Sequence, residues 1–498
     1  HKAIRRQRQM CIRDRDYTKE FAALLPFTMT GAQQRAVQDG IRDMQGPHPM
    51  NRLIQGDVGS GKTAVAAALC HTVIQNGFQA ALMAPTEILA AQHYESLSNL
   101  LAPCGIKTVL ITGSMRAKAK REAIKGLKTG EIQLAVGTHA LISDGVEFSS
   151  LALVITDEQH RFGVNQRTAL AKKGNFPHTL VMSATPIPRT LALMIYGDLD
   201  VSVLNELPPG RQPIETYLID PPKRRRAFGY IKKHIDEGRQ AYIVCPLIEE
   251  GESDAASIAA YEKIVRDYFG DMPIGILHGK MKPKEKDAVM TDFAENRTKL
   301  LLSTTVVEVG VDVPNAVIMM IENAERYGLS QLHQLRGRVG RGKYASTCIL
   351  VTEAQNDETL QRLRLFCSTT DGFKVADEDL RLRGPGDFFG ERQHGLPKLK
   401  IADMLNDMQI LQEAQQCAKE LTERDPELNS PALRGLRACG AREVHLRVFV
   451  PVCSESCRYG GAPRPDSGDG GADTVGYLSA RQIHLLADGL CTACMERA

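Results

Sequence analysis

The sequence predicts an α/β protein in which two tandem doubly wound parallel-sheet domains are followed by a small helical segment. Short apolar β-type runs alternate with helix-length amphipathic segments, as a parallel sheet covered by helices requires. The alternation occurs twice, on either side of a proline-rich stretch at Leu207–Pro213, so the chain carries two such domains. After about residue 357 the β-type runs stop and apolar residues fall at helical intervals. A length of 498 residues agrees with this, because a single hydrophobic core rarely grows past about 250 residues.

Residues 1–18, with arginines at 5, 6, 8, 13 and 15, fit no element. The first domain, 19–208, takes its β-type runs from Leu53–Ile54, Leu82–Ala84, Thr108–Ile111, Leu134–Val136, Leu151–Ile155 and Leu180–Met182. The second, 209–356, takes them from Ile214–Leu218, Ala241–Val244, Ile274–Leu277, Leu300–Ser303, Val317–Ile321 and Thr347–Val351. Residues 357–437 form the helical segment, within which Lys398–Leu421 spaces Leu, Met and Ile as one helix face would. Beyond it, residues 438–498 contain G-G-A-P-R-P-D-S-G-D-G-G-A-D, the composition of a loop or disordered tail.

A hydrophobic content of 43% with 24% charged residues is that of a soluble globular protein, and no apolar run nears the ~18 residues of a membrane span. The start, H-K-A-I-R-R-Q-R-Q-M, lacks the apolar core of a secretory signal, so a cytosolic protein is expected. A net charge of +3 does not by itself require a polyanion partner, and the clusters Lys118–Arg121 and Lys223–Arg226 read as solvated helix faces. Cysteines 70, 104, 245, 348 and 367 fall within apolar patterns, as buried thiols of a reducing compartment do. The pairs C-S-E-S-C at 453–457 and C-T-A-C at 491–494 have zinc-compatible spacing. The interval between them is rich in glycine and aspartate rather than apolar strands, so no structural metal is assigned.

Chemistry enters at G-D-V-G-S-G-K-T, Gly56–Thr63, which has the spacing G-x-x-x-x-G-K-[ST] between an apolar strand and the helical run A-V-A-A-A-L. Gly56, Asp57, Val58, Gly59, Ser60 and Gly61 form a loop whose backbone N–H groups can wrap phosphates. Lys62 reaches the β- and γ-phosphates, and the Thr63 hydroxyl can hold Mg²⁺. ATP and Mg²⁺ are therefore expected. Asp157 and Glu158 close the strand that begins L-A-L-V-I, at the sheet edge where such sites lie. Asp157 would hold Mg²⁺ through water and Glu158 would activate the attacking water. In Q-L-R-G-R-V-G-R, Gln334–Arg341, the residues Arg338 and Arg341 stand three apart on a predicted helix, so both face one cleft as candidate arginine fingers.

Taken in order, these motifs resemble those of superfamily 2 helicases and translocases, whose two domains are RecA-like. T-G-A-Q with Gln33 is similar to the adenine-reading Q motif, A-P-T-E-I-L-A-A-Q-H from Ala84 to motif Ia, and G-T-H-A-L-I from Gly137 to motif Ib. D-E-Q-H resembles motif II, S-A-T (Ser183–Thr185) motif III, and G-I-L-H-G-K-M from Gly275 motif IV. T-T-V-V-E-V-G-V-D-V-P from Thr304 resembles motif V, and the segment opened by Gln334 motif VI. D-E-Q-H-R-F-G-V-N-Q-R together with R-L-R-G-P-G-D-F-F-G-E-R-Q-H-G, Arg381–Gly395, is similar to the RecG family of ATP-dependent DNA helicases, which remodel stalled forks and Holliday junctions. The second of these stretches resembles that family's translocation motif, TRG. The likeness runs from about Lys19 to Arg437.

The resemblance implies catalytic roles for Lys62, Asp157, Glu158, Gln334, Arg338 and Arg341, with Gly310 and Asp312 meeting the nucleotide from the second domain. It implies phosphate-backbone contacts to DNA through Thr86, Thr138, His139, His278, Thr304 and Thr305, which position DNA without reading bases. Ser183 and Thr185 would sense the γ-phosphate. Arg381, Arg383, Arg392 and Gln393 would act as levers on duplex DNA, on a tight loop allowed by glycines 384, 386 and 390. Implied partners are forked, junction and double-stranded DNA, with single-stranded DNA-binding protein as a further one. A monomer in the bacterial cytosol and nucleoid, away from membranes, is expected. Family members carry an amino-terminal OB-fold wedge, whereas this chain begins almost at the Q motif, so the motor portion alone is expected. The alternatives are the motor of a transcription-repair coupling factor, which shares the TRG motif but lacks the His of D-E-Q-H and the Pro of R-G-P-G, and a DNA-binding remnant without productive turnover. An RNA helicase is disfavoured by D-E-Q-H with a TRG motif.

Overall fold

The computed structural model describes residues 17–157, 170–183, 199–208, 212–245, 254–304 and 313–387, apart from positions 47, 144, 172 and 175, and a few positions between 413 and 430. The chain divides into two compact units, residues 1–187 with 200–379 and residues 188–199 with 380–498, and both sheets belong to the first.

In the amino-terminal lobe the described elements are α1 (Thr18–Leu24), α2 (Gly31–Gln45), β1 (Asn51–Gly56), α3 (Lys62–Gln75), β2 (Gln79–Met83), α4 (Glu87–Leu101), β3 (Thr108–Ile111), α5 (Ala117–Thr129), β4 (Leu134–Gly137), β5 (Leu151–Asp157), β6 (His178–Ser183) and β7 (Asp200–Leu204). The strands form one parallel sheet in the order β3-β4-β2-β5-β6-β1-β7. Strands β2 and β5 are buried along their whole length, which is why Ala80–Met83 and Leu151–Ile155 within them read as unbroken apolar runs. One face packs on α2, α3 and α4 through residues such as Val37, Leu69, Val73 and Leu97. The other packs on α5 through Ala123 and Leu127.

The second lobe repeats the plan with β8 (Ile214–Ile219), α6 (Arg224–Asp236), β9 (Gln240–Val244), α7 (Asp254–Phe269), β10 (Ile274–Leu277), α8 (Pro283–Ala294), β11 (Leu300–Ser303), β12 (Ala316–Ile321), α9 (Leu329–Arg336) and β13 (Ser346–Val351). Its parallel sheet has the order β10-β11-β9-β12-β13-β8. Helices α10 (Asp357–Ser368) and α11 (Gly372–Asp387) follow. Leu363, Phe366 and Val375 from these two helices enter the same core as Leu332 and Leu335 of α9, so the helical segment begins inside the second lobe.

The two lobes solve one problem identically. Gln79, at the start of β2, donates its amide to the carbonyls of Leu127 and Ile132, at 2.9 and 2.7 Å. Gln240, at the start of β9, donates to Phe293 and Thr298, at 2.6 and 2.7 Å. Each buried glutamine thereby satisfies a helix-end and loop carbonyl that burial would otherwise leave costly. A buried ion pair tightens the second lobe: Arg224 grips Glu322 with two hydrogen bonds of 2.9 Å, and the Tyr261 hydroxyl also donates to Glu322. The hydrogen bond to Glu322 pushes the Arg224 guanidinium pKa up, while burial, then the Glu322 charge, does the same for the Tyr261 phenol.

Each β-type run named from the sequence falls in a strand, apart from Ala84, which lies one residue past the end of β2, and β7 adds an edge strand that the sequence does not announce. Only two of its five residues are buried, in the pattern expected of an edge. Cys70, Cys245 and Cys348 are buried, whereas Cys104 and Cys367 are only partly so. Burial pushes the Cys70 and Cys348 thiols up to about 12, so both stay protonated and unreactive. The stretch Arg381–Asp387, expected as a loop, is the last part of α11: the residues before Gly384 are strong helix formers and carry the helix on. No helix among the described residues is long and apolar enough to cross a membrane. The carboxy-terminal cysteine pairs and most of Lys398–Leu421 lie outside the described residues.

Candidate nucleotide site

Strands β5, β6 and β1 are neighbours, with Asp157 opposite Met182 and Gln55 opposite Ser183, so their carboxyl ends lie side by side. The phosphate loop leaves β1 at Gly56 and enters α3 at Lys62, placing the unbonded N–H groups and partial positive charge of a helix start at the sheet edge. Gly59 and Gly61 take φ of 79° and 84°, a conformation that glycine adopts without a Cβ clash. A Cβ on Gly61 would also strike the side-chain nitrogen of Gln33. The Lys62 ammonium donates to the carbonyls of Gly56 and Asp57, at 2.9 and 3.0 Å, and so lies over the loop. Asp57 Oδ1 accepts the N–H of Val58 at 2.6 Å and shapes the turn.

Gln33 is buried and fully engaged. Its carbonyl accepts from Thr30 N at 3.0 Å, Thr30 Oγ1 accepts from Gln33 N at 3.2 Å, and its amide donates to the Ser60 carbonyl at 2.8 Å. The first two bonds are a reciprocal cap on α2, and the third ties that cap to the phosphate loop.

Asp157 ends β5 and is 7% exposed, and its Oδ2 lies 2.7 Å from Nε2 of His93 on α4. Thr86, partly buried, caps α4 by accepting from Leu89 N at 3.3 Å, and the buried Thr138 caps the short turn after β4 by accepting from Ala140 N at 3.5 Å. Ser183 is buried at the end of β6, and Thr304 is buried just after β11 with its N–H on the Leu277 carbonyl. His139 is exposed and His278 partly so. Glu158, Thr185, Thr305, Gly310, Asp312, Arg392 and Gln393 lie outside the described residues, as does the Arg383 side chain.

Motif VI differs from its expected shape. Helix α9 ends at Arg336, so Arg338 and Arg341 stand in the turns beyond it rather than on one helix face. Gly337, a weak helix former, follows the last helical residue, and Gly340 at φ 76° turns the chain further on. Arg338 is nevertheless 6% exposed, and Arg341 Nε donates to the Gly337 carbonyl at 3.1 Å. Motif VI rests directly on the phosphate loop of the other lobe: a Cβ at Gly337 would lie 3.0 Å from Cβ of Val58, and His333 Nε2 lies 2.7 Å from Asp57 Oδ1. The geometry thus places groups from both lobes around the one glycine-rich loop between β1 and α3. Sequence reading missed His93 and His333; the first closes motif Ia and the second immediately precedes motif VI, but the contacts join residues 64 and 276 positions apart.

Comparison with known proteins gives this arrangement a family. Residues 30–194 match the DEAD/DEAH box helicase model, 224–343 the helicase conserved C-terminal domain, and 369–437 the model described as ATP-dependent DNA helicase RecG, domain 3, C-terminal. The ATP-dependent DNA helicase RecG of Bacillus subtilis is 49% identical over 441 residues, covering 88% of this chain and 64% of the relative. That of Synechocystis is 50% identical over 414 residues, covering 83% of this chain and 50% of the relative. A solved structure of RecG bound to a three-way DNA junction superposes with a TM-score of 0.70 at 45% identity, covering 82% of this chain and 54% of that one. The chain therefore spans about half to two thirds of the length of the relatives it matches. With a match to the RecG-specific carboxy-terminal model added to two helicase models and nearly half of the aligned residues shared, this chain belongs to the RecG family of ATP-dependent DNA helicases.

Proposed function

We propose that the chain is the motor of an ATP-dependent translocase on double-stranded DNA, one that remodels stalled replication forks and branch-migrates Holliday junctions. The observation that carries this reading is the direct seat of motif VI on the phosphate loop, through Gly337 against Val58 and His333 on Asp57. An ATPase whose site is shared between two lobes can convert the state of the γ-phosphate into a change in lobe spacing. Lys62 and the start of α3 bind the phosphates, and Arg338 and Arg341 supply positive charge from the second lobe. Glu158 orients the attacking water.

Thr63, at the second position of α3, and Asp157, at the end of β5, offer the oxygen donors that Mg²⁺ prefers. When bound there, the ion neutralises phosphate charge. His93, 2.7 Å from Asp157, holds that carboxylate in place.

DNA contacts fall to Thr86, Thr138, His139, His278, Thr304 and Thr305, with Ser183 and Thr185 linking them to the nucleotide. Among these, the hydroxyls of Thr86 and Thr138 act by capping α4 and the turn after β4. Arg381, Arg383, Arg392 and Gln393 push on the duplex as the lobes move. The protein works as a monomer in the bacterial cytosol, with single-stranded DNA-binding protein as a further partner. A relative's solved structure holds a three-way DNA junction, which supports branched DNA as the substrate.

Measuring ATP hydrolysis with forked, duplex and single-stranded DNA tests the assignment. Turnover is expected to rise at least about tenfold with forked or duplex DNA and to fall steeply with added salt, since phosphate contacts release counterions. Equal turnover with and without DNA would instead mark a DNA-binding remnant.

A further inference from the structure

We propose that His333 is a positioning residue for ATP binding, a donor that ties α9 to the phosphate loop of the opposite lobe, with its tautomer dictated by Arg336. This rests on the nucleotide-site assignment but not on the DNA substrate. His333 Nδ1 lies 3.0 Å from Nη2 of Arg336. A guanidinium only donates, so Nδ1 accepts and the ring proton sits on Nε2. That Nε2–H points at Asp57 Oδ1, 2.7 Å away, and donates to it. The same carboxylate oxygen accepts the N–H of Val58 at 2.6 Å, so one atom serves both the turn of the phosphate loop and the bridge to the other lobe.

The bridge is anchored behind His333 as well. Arg336 is fully buried and donates through Nη1 to the carbonyls of Phe366 and Thr369, at 3.1 and 2.8 Å, with its guanidinium 4.2 Å over the Phe366 ring. Those carbonyls belong to the end of α10 and the turn after it, so Arg336 cannot swing without disturbing α10. The chain of donors runs from the Arg336 anchor through His333 to Asp57. At its last step a donor meets a carboxylate with the His333 side chain only 4% exposed, conditions under which a hydrogen bond is strong and selective for geometry.

The consequence is a loop whose shape is set partly by the other lobe. A movement that draws α9 away either carries Asp57 and Val58 with it or breaks the Nε2–Oδ1 bond, and either change alters the N–H groups that receive phosphate. His333 thus holds the loop ready for nucleotide before ATP arrives. Its role is exerted through Asp57 and the loop that Asp57 shapes.

Three variants separate this role from packing. In His333→Gln the side-chain nitrogen falls near the place of Nε2 and keeps the donor to Asp57. In His333→Asn the carboxamide ends near Nδ1, so Arg336 keeps an acceptor and Asp57 loses its donor; His333→Ala removes both. Hydrogen exchange across residues 56–63 is measured without nucleotide, together with binding of a fluorescent ADP and thermal unfolding, on the full chain. Expected are faster exchange in the loop and about tenfold weaker ADP binding for His333→Asn and His333→Ala, with His333→Gln near wild type. Wild-type exchange and affinity in His333→Asn would overturn the proposal, as would His333→Gln being as impaired as His333→Ala. Failure of the unaltered protein to bind ADP would overturn the nucleotide-site assignment beneath it.

Discussion

Lys62→Ala is expected to abolish ATP turnover, lowering kcat by at least about 10³-fold while leaving the fold intact. Lys62 is the first residue of α3, and its ammonium spans the loop between the carbonyls of Gly56 and Asp57. No other described cation on this loop lies on the helix start proposed to receive the β- and γ-phosphates. Alanine is a strong helix former, so α3 should still begin at the same place, and the substitution removes the ammonium's hydrogen bonds to two loop carbonyls without opening a core cavity. Phosphate release with and without duplex DNA gives the activity, and thermal unfolding gives the control. Retained turnover with an unchanged melting temperature would show that the phosphates bind elsewhere.

Arg338→Ala is expected to lower kcat by about 10³-fold with little change in KM for ATP, because an arginine finger acts on charge that develops in the transition state. Arg338 lies one residue beyond Gly337, whose backbone is pressed against Val58 of the phosphate loop, so its side chain springs from a close approach of the two lobes. Arg338→Lys restores charge without the planar fork and should recover only part of the rate. Single-turnover hydrolysis measured beside equilibrium ATP binding separates the two effects. A rise in KM at constant kcat would assign Arg338 to binding instead.

The parallel sheets were legible because their strands are buried on both faces. β12 and the stretches Ala80–Met83 of β2 and Leu151–Ile155 of β5 therefore spell uninterrupted apolar runs that no surface strand would carry. The edge strand β7 is illegible for the same reason in reverse. The position of the glycine-rich loop between β1 and α3 could be read from the sequence, since glycine spacing and the helix after it are local properties of the chain. The Thr30–Gln33 cap was also present in the sequence as T-G-A-Q, though its third bond, to Ser60, depends on tertiary placement.

What could not be read is what forms between distant residues or against local propensity. The segment Q-L-R-G-R-V-G-R suggests one helix, yet α9 ends before Gly337, and Arg338 and Arg341 stand in the turns beyond it. His93 and His333 carry no sequence signal for their roles. Their partners Asp157 and Asp57 arrive only when β5 meets α4 and when the two lobes meet. Thr138 and Thr304, to which the resemblance gives DNA-backbone contacts, are buried, because each follows directly on a buried strand.

Displacement of a labelled third strand from a triplex flanked by duplex DNA tests the motor reading most directly, because only a protein that moves along duplex removes it. The unaltered chain with ATP is expected to displace the strand, and Lys62→Ala and Arg338→Ala are not. DNA-stimulated hydrolysis without any displacement, at protein concentrations that saturate the duplex, would contradict a translocating motor.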